Sequence, residues 1–185
     1  MRKVRSEMDE KKERYEVILA GSGGQGLVLS GIILAEAAIL EGKNVCQSVS
    51  YGAAARGGFS MAGVIIDSEE IIFQEVENAD ICLALTEEAM EKFQALSERG
   101  AAIVYDTTLL KPRRGERLYG QPFTDMASRL GHVGMANIIA LGYMARINGM
   151  VKTESLMEVI KRRFSGDVRD ANLKALQAGG ELAIG

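Results

Sequence analysis

The first candidate for a binding site is the glycine-rich segment from Gly21 to Gly26. The segment follows an unbroken aliphatic run at residues 17–20, which is typical of a strand buried on both faces, and precedes a long apolar segment that indicates a helix. A turn between a strand and a helix leaves the first N–H groups of the helix unpaired, and the helix dipole adds partial positive charge there. Glycines let an anion come close, so we expect an anion site. The candidate binding residues of this turn are Gly21, Ser22, Gly23, Gly24, Gln25 and Gly26.

Several interpretations of this glycine turn can be tested in the sequence. Gly21, Gly23 and Gly26 fit the dinucleotide pattern G-x-G-x-x-G. A P-loop would continue with Lys and then Ser or Thr, but two aliphatic residues follow Gly26, which disfavours a Walker site. A nicotinamide dinucleotide site usually has an acid roughly 20 residues on to hold the ribose, and the strand predicted at residues 44–50 ends without one. The remaining alternative is that the glycines only pack a helix against a sheet.

A second candidate lies in the glycine-rich segment from Tyr51 to Phe59, where Arg56 is the only charged residue. A guanidinium flanked by Gly57 and Gly58 can bind a phosphate or carboxylate through two hydrogen bonds, with the backbone close on one side. In a doubly wound fold the loop after the second strand lies near the loop after the first, at the edge where ligands bind. The two loops would then converge on one anionic ligand. Alternatively, Arg56 binds a neighbouring subunit or a local carbonyl.

The elements that would position these loops alternate between strands and helices. Strands separated by helices of ten or more residues predict an α/β fold with a doubly wound, mostly parallel, Rossmann-like sheet and a helical C-terminal part. A polar turn joins two further short strands, predicted as an antiparallel excursion, and an irregular link is expected at residues 112–122. The predicted strands are 17–20, 44–50, 60–67, 71–73, 80–85 and 101–105, and the predicted helices are 24–41, 87–99, 124–130, 135–148, 153–164 and 168–178.

Length and composition restrict the class of protein. The chain has 185 residues, of which 47% are hydrophobic, so we expect one domain at residues 15–185 after a charged tail at residues 1–14. A net charge of −3 offers no basic field for nucleic acid, and no apolar run approaches a membrane span. Without an export signal, the cytoplasm is the expected location.

The inventory of reactive side chains is small. Cys46 and Cys82 both lie in apolar strands, and we interpret both as buried, inert thiols rather than metal ligands. The only histidine, His132, could be a general acid or base or a surface or capping residue. The chain alone is therefore not expected to be a complete enzyme, and no metal site is predicted.

The order of these motifs resembles the gamma subunit of 2-oxoacid:ferredoxin oxidoreductases of the pyruvate, 2-oxoglutarate or 2-oxoisovalerate type. The similarity covers nearly the whole chain from Tyr15, although the family commonly has Glu where this chain has Ala54. The matching stretches are the turn from Gly21 to Gly26, then Gly31, Tyr51 and Gly52 with Arg56, Gly57 and Gly58, then residues 136–142, and finally residues 172–176 with Gly179.

The resemblance implies a subunit of a complex that converts a 2-oxoacid, coenzyme A and oxidised ferredoxin to acyl-coenzyme A, CO2 and reduced ferredoxin. Thiamine diphosphate and iron–sulfur clusters would lie in the alpha, beta and ferredoxin-like delta partner subunits, and this chain would contribute to coenzyme A binding and assembly. Asn137, in the matching stretch, joins the candidate cofactor-binding residues. In isolation we expect a homodimer. The alternatives are a free-standing Rossmann-like nucleotide-binding protein and an indolepyruvate oxidoreductase beta-type subunit.

Overall fold

A computed structural model describes residues 12–52 and 57–184 and shows the predicted α/β architecture. The N-terminal charged residues before Lys12, and Arg56, lie outside the described residues. The strands are β1 (Tyr15–Ser22), β2 (Asn44–Tyr51), β3 (Phe59–Asp67), β4 (Ile81–Ala84), β5 (Ala102–Asp106) and β6 (Leu118–Gln121). The helices are α1 (Leu27–Leu40), α2 (Glu87–Phe93), α3 (Phe123–Arg129), α4 (Ala136–Asn148), α5 (Thr153–Arg163) and α6 (Gly166–Leu182), with short 3₁₀ segments at Gln94–Arg99 and Val133–Met135.

The strands form one sheet in the order β2-β3-β1-β4-β5-β6. β1, β4, β5 and β6 are parallel to one another, whereas β3 is antiparallel to both of its neighbours, β1 and β2. All strands except β3 therefore run in the same direction, as the sequence predicts. The insertion of β3 between β1 and β2 separates the first two strands but keeps their carboxyl ends on the same edge of the sheet.

The two faces of the sheet bury separate apolar clusters, because successive side chains of a strand point to opposite faces. Val17 and Leu19 of β1 pack under α1 and the C-terminal helices, and Ile18 and Ala20 pack under α2. All of these side chains are buried. The covering of both faces explains why residues 17–20 of β1 and all residues of β4 are continuous apolar runs.

Two glycines bring α4 and α6 into close backbone contact. A Cβ atom at Gly179 of α6 would collide with the backbone oxygen of Ile139, and one at Gly142 of α4 would collide with that of Leu176. Gly180, the neighbour of Gly179, faces open space instead. The contact between the two helices therefore requires the absence of a side chain at Gly142 and Gly179.

The amino-terminal end of β1 is held by a buried carboxylate. Glu16 accepts hydrogen bonds from the backbone N–H groups of Glu77 (2.7 Å) and Asn78 (2.8 Å) and from Arg14 Nε (2.9 Å). Burial opposes ionisation of Glu16, but these hydrogen bonds outweigh it and lower the pKa of the carboxyl below its ordinary value. The chain entering β4 is thereby fixed to the start of β1.

Two predicted segments differ in type from the structure, and the helix predicted at residues 87–99 is α-helical only over Glu87–Phe93 and continues as the 3₁₀ segment Gln94–Arg99. The strand predicted at residues 71–73 is wrong, because this segment has no regular secondary structure. It pairs with no described strand and does not pack into the core, and Ile72 is therefore 91% exposed. The link predicted to be irregular contains β6, which pairs with β5 although its sequence, Leu-Tyr-Gly-Gln, has no apolar run. In both segments, pairing with residues distant in the sequence determines whether a strand forms.

The two cysteines also differ from each other. Cys82 is fully buried in β4, and burial raises the pKa of its thiol, as expected of an inert residue. Cys46 is only half-buried, because β2 is an edge strand. Within the described residues, no helix has the length and apolar content that crossing a bilayer requires.

Candidate functional site

The glycine turn leaves β1 at the carboxyl edge of the sheet and is fixed there by Gln25. The side-chain oxygen of Gln25 accepts a hydrogen bond from the Ser22 N–H (2.7 Å), and its amide nitrogen donates to the Leu85 carbonyl (3.4 Å). Gly21 is buried behind that amide, and a Cβ atom there would collide with it. Gly21 and Gln25 thus shape the turn, and their polar groups face the protein.

Gly24 and Gly26 form the open side of the turn. Both have a left-handed backbone, with φ of 95° and 72°, which disfavours residues that carry a Cβ atom. A Cβ atom at Gly24 would meet no described atom within 4 Å. Among the described residues neither glycine donates a backbone hydrogen bond, and α1 has no acidic residue in its first turn. Within the described part of the chain, the N–H groups of Gly24 and Gly26 and the positive end of α1 are therefore available to an anion.

The loop after β2 meets this turn, as the doubly wound topology predicts. The Gly23 N–H donates to the Gly58 carbonyl (2.9 Å), and Gly57 has a left-handed backbone with φ of 68°. The structure thus brings Gly57 and Gly58 together with the glycine turn. Arg56 directly precedes Gly57 in the sequence but lies outside the described residues.

Asn137, at the start of α4, connects the turn to the C-terminal helices. Its amide nitrogen donates to the Gly26 carbonyl (3.0 Å), and the side chain is 3% exposed. A Cβ atom at Gly26 would collide with this amide. Asn137 therefore holds the backbone of Gly26, which has a left-handed conformation, at the start of α1.

A cleft of about 620 Å³ extends from the glycine turn between α1, α4 and the start of α6. We call it the helical cleft. Most of its lining side chains are apolar. Three polar side chains that the sequence motifs do not indicate as binding residues also line it, His132, Asp167 and Asn172. A smaller cavity of about 220 Å³ lies on the other side of Gly24 and Asn137. The helical cleft is lined by Gly24, Gly26, Leu29, Gly131, His132, Val133, Gly134, Met135, Asn137, Ile138, Phe164, Asp167, Val168 and Asn172.

The sequence indicates the turn but not the cleft. Three glycines at fixed spacing are a local signal, whereas the residues of the cleft come from α1, the segment before α4, and α6, which are distant in the chain. Asn172 lies in one of the stretches that carry the family resemblance, which is the one signal that could have selected it. His132 lies exposed in the wall of the cleft.

Known proteins are similar to this chain in sequence and fold over most of its length. The family model described as pyruvate ferredoxin/flavodoxin oxidoreductase matches residues 16–182. A 2-oxoglutarate synthase subunit, KorC, from Archaeoglobus fulgidus is 38% identical over 165 residues, which cover 89% of this chain and 85% of the relative. The crystal structure of a keto/oxoacid ferredoxin oxidoreductase gamma subunit from Geobacter sulfurreducens is 36% identical with a TM-score of 0.78, covering 92% of this chain and 98% of that chain.

A larger enzyme contains the same fold as one part. The structure of 2-oxoglutarate:ferredoxin oxidoreductase from Magnetococcus marinus with 2-oxoglutarate, coenzyme A and succinyl-CoA bound has a TM-score of 0.83 and 27% identity. The match covers 94% of this chain but 32% of the Magnetococcus chain. The fold described above thus occurs both as a separate subunit and within a longer chain.

Proposed function

The chain belongs to the pyruvate ferredoxin/flavodoxin oxidoreductase family, as a gamma subunit of a 2-oxoacid:ferredoxin oxidoreductase, and we propose that its glycine turn binds the phosphates of coenzyme A. The observation that carries this proposal is the open side of the turn. A Cβ atom at Gly24 would meet no described atom within 4 Å, and among the described residues neither its N–H nor that of Gly26 has a backbone acceptor. Coenzyme A carries a pyrophosphate and a ribose phosphate, which are the anions such a helix start accommodates.

In this proposal the chain binds and orients the acyl acceptor rather than forming the acyl group. The N–H groups at Gly24 and Gly26 and the dipole of α1 hold the pyrophosphate, and Asn137 keeps the turn in the required conformation. Arg56, carried by the loop that meets the turn at Gly58, supplies a guanidinium to the same phosphates. A protein of this family from Magnetococcus has coenzyme A bound, which supports the ligand class.

Replacement of Arg56 in the assembled complex tests the proposal. Arg56→Ala removes a charge-assisted contact of roughly 1.5–3 kcal/mol, so the Kd for coenzyme A should rise about 10- to 150-fold. Decarboxylation of the 2-oxoacid should survive, because that step precedes acyl transfer. The matched control is Arg162→Ala, which removes an arginine that α5 exposes beside Glu158. Equal coenzyme A affinity in both variants and in the wild type would contradict a role for Arg56.

We also propose that the partners of this subunit are alpha, beta and ferredoxin-like delta chains that carry thiamine diphosphate and iron–sulfur clusters. The Archaeoglobus relative is a 2-oxoglutarate synthase subunit and the Geobacter protein is a gamma subunit of a keto/oxoacid ferredoxin oxidoreductase, which supports a multi-subunit assembly. Copurification from the native host should retrieve partners with bound thiamine diphosphate and iron. Expressed alone, the subunit should sediment as a homodimer at micromolar concentration, since apolar surface normally covered by partners tends to pair. Recovery of only a free monomer under both conditions would overturn this assignment.

The oxoacid that the complex oxidises is proposed to be 2-oxoglutarate. The observation favouring it is that the Archaeoglobus relative is named for 2-oxoglutarate and the Magnetococcus structure contains that oxoacid. Release of CO2 by the purified complex should be fastest from 2-oxoglutarate in a panel that also contains pyruvate and 2-oxoisovalerate. A higher specificity constant for either competitor would reject 2-oxoglutarate without affecting the role of the glycine turn.

A further inference from the structure

A short basic loop lies at the edge of the sheet opposite to the glycine turn. Residues 113–117 contain three arginines and one glutamate, in a chain whose net charge is −3. We call this segment the arginine loop. It leads directly into the amino end of β6, whereas the glycine turn follows the carboxyl end of β1, and the two strands run in the same direction. The charge of the arginine loop is therefore separate from the candidate anion site.

The first arginine fastens the loop to the rest of the fold. The backbone N–H of Arg113 donates to the Tyr105 hydroxyl (2.9 Å), at the end of β5. Its guanidinium donates to Gln94 Oε1 (3.1 Å) and forms an ion pair with Glu87. The position of the loop is thus fixed by contacts within this chain.

The other two arginines are not used in this way. Arg114 and Arg117 are both exposed, and neither forms an ion pair with a carboxylate in residues 12–52 or 57–184. Arg117 also has a left-handed backbone, with φ of 59°, which glycine or asparagine adopts more readily. The loop therefore presents two guanidinium groups that the described fold does not require.

The cavity beside these arginines indicates what kind of anion they fit. Arg114 and Arg117 line a cavity of about 550 Å³, together with Glu98 and Glu116. A polyphosphate or a nucleic acid backbone needs adjacent positive charges, and the two carboxylates would repel it. Carboxylates that project singly from a protein surface can instead pair with one guanidinium each. The mixed charge of the cavity favours an acidic protein segment.

The strand next to the loop offers further contacts to such a segment. β6 is an edge strand, and no described strand pairs with its outer side, so backbone groups are available there. Tyr119 of β6 is 37% exposed, and tyrosine and arginine are enriched in protein interfaces. The arginine loop and β6 are contiguous in the chain, so they form one surface with the charge and the hydrogen-bonding groups that a protein partner uses.

We propose that the arginine loop and the outer side of β6 form a docking site for a carboxylate-rich segment of a partner subunit, with Arg114 and Arg117 each pairing with an Asp or Glu of that segment. The inference rests on the proposed assembly with other subunits, and it is independent of coenzyme A binding. Because the glycine turn lies at the opposite edge of the sheet, this contact leaves the turn open to its ligand.

Carbodiimide cross-linking of the purified complex tests the docking site, because this reagent joins a carboxylate to a lysine amine only where the two groups touch. Arg114→Lys and Arg117→Lys keep the positive charge and introduce the amine. Each new lysine should become linked to an Asp or Glu of a partner subunit, as identified by mass spectrometry of the linked peptides. The matched control is Arg146→Lys, at an exposed arginine of α4, which should give no such link.

Reversal of the charge provides a second measurement. The double variant Arg114→Glu with Arg117→Glu should release the partner subunits from a tagged chain at a lower salt concentration than the wild type, because it repels the acidic segment. Its control is Arg146→Glu with Lys174→Glu, which makes the same change in net charge at exposed positions of α4 and α6 and should behave as the wild type. If the reversed variant does not fold, the lysine variants keep the test decisive, since they preserve the charge.

The outcomes separate this inference from the proposed function. A complex that forms normally, with no link from either lysine to a partner carboxylate, would overturn the docking site and leave the assembly intact. Links to Glu98 or Glu116 of the same chain alone, or to a second copy of this chain, would also overturn it, as would nucleic acid that the reversed variant loses. Failure of the wild-type chain to retrieve any partner would reject the proposed assembly, and the inference with it.

Discussion

Two regions of this molecule depend on glycine for opposite reasons. Between α4 and α6, the space where a side chain would be is filled by the backbone of the facing helix, as at Gly179 against Ile139. In the turn after β1, the space next to Gly24 contains no described atom. The first region uses glycine to bring two helices together, and the second uses it to leave room at a helix start.

The difference shows what a glycine motif does and does not indicate. Both regions belong to stretches that resemble the same family, and in the sequence both are glycines beside apolar helices. Only the positions of the neighbouring atoms distinguish a glycine in a packing contact from a glycine on a candidate binding surface. The interpretation that the glycines pack a helix against the sheet therefore describes Gly21, which is buried against Leu85, but not Gly24.

The largest effect is expected at the helix contact. Gly179→Ala places a methyl group against the backbone of α4, which cannot move as a side chain can, so the free energy of unfolding should fall by about 3 kcal/mol. The matched control is Gly180→Ala, whose methyl group would meet no described atom within 4 Å and which should stabilise α6 by about 0.5–1 kcal/mol. Denaturant unfolding of both variants measures the difference. Equal stability would mean that α4 and α6 do not pack as described.

A smaller loss is expected where the turn meets α4. Gly26→Ala combines a left-handed backbone with a collision against the Asn137 amide, so it should destabilise the fold by about 2 kcal/mol. Gly23→Ala is the control, because its Cβ atom would lie at 3.8 Å from the nearest described atoms, in ordinary van der Waals contact. Thermal unfolding should leave Gly23→Ala within about 0.5 kcal/mol of the wild type. A destabilised Gly23→Ala together with a normal Gly26→Ala would reverse the assignment of the two glycines.

Acid should weaken the fold without acting on the turn, since no side chain between Gly21 and Gly26 titrates. The pKa of Glu16 is lower in the folded chain than its ordinary value of 4.5, so ionised Glu16 stabilises the fold above that pH. This stability is lost as the pH falls through the folded pKa. Glu16→Gln should therefore cost about 1.5 kcal/mol at pH 7 and much less at low pH. A constant difference between pH 7 and pH 3 in chemical denaturation would contradict this role.

The sequence predicts those parts of the fold whose signals are local. The buried strand β1, the glycine turn and α1 follow from apolar runs and glycine spacing. The meeting of the loops at Gly23 and Gly58 follows from topology. The strand β6 and the helical cleft do not, because each needs partners far away in the chain, such as β5 for Leu118 and α1 for Asn172.

If the open side of the turn at Gly24 receives phosphate, a negative charge placed there weakens the binding of coenzyme A. Asn and Asp tolerate the left-handed backbone better than other residues with side chains, so Gly24→Asn and Gly24→Asp should cost similar stability. They differ in one negative charge at the proposed phosphate position. The Kd of the assembled complex for coenzyme A should be about 10- to 100-fold higher for Gly24→Asp than for Gly24→Asn, with the ratio shrinking at high salt. Equal Kd values for the two variants would contradict phosphate binding at this turn.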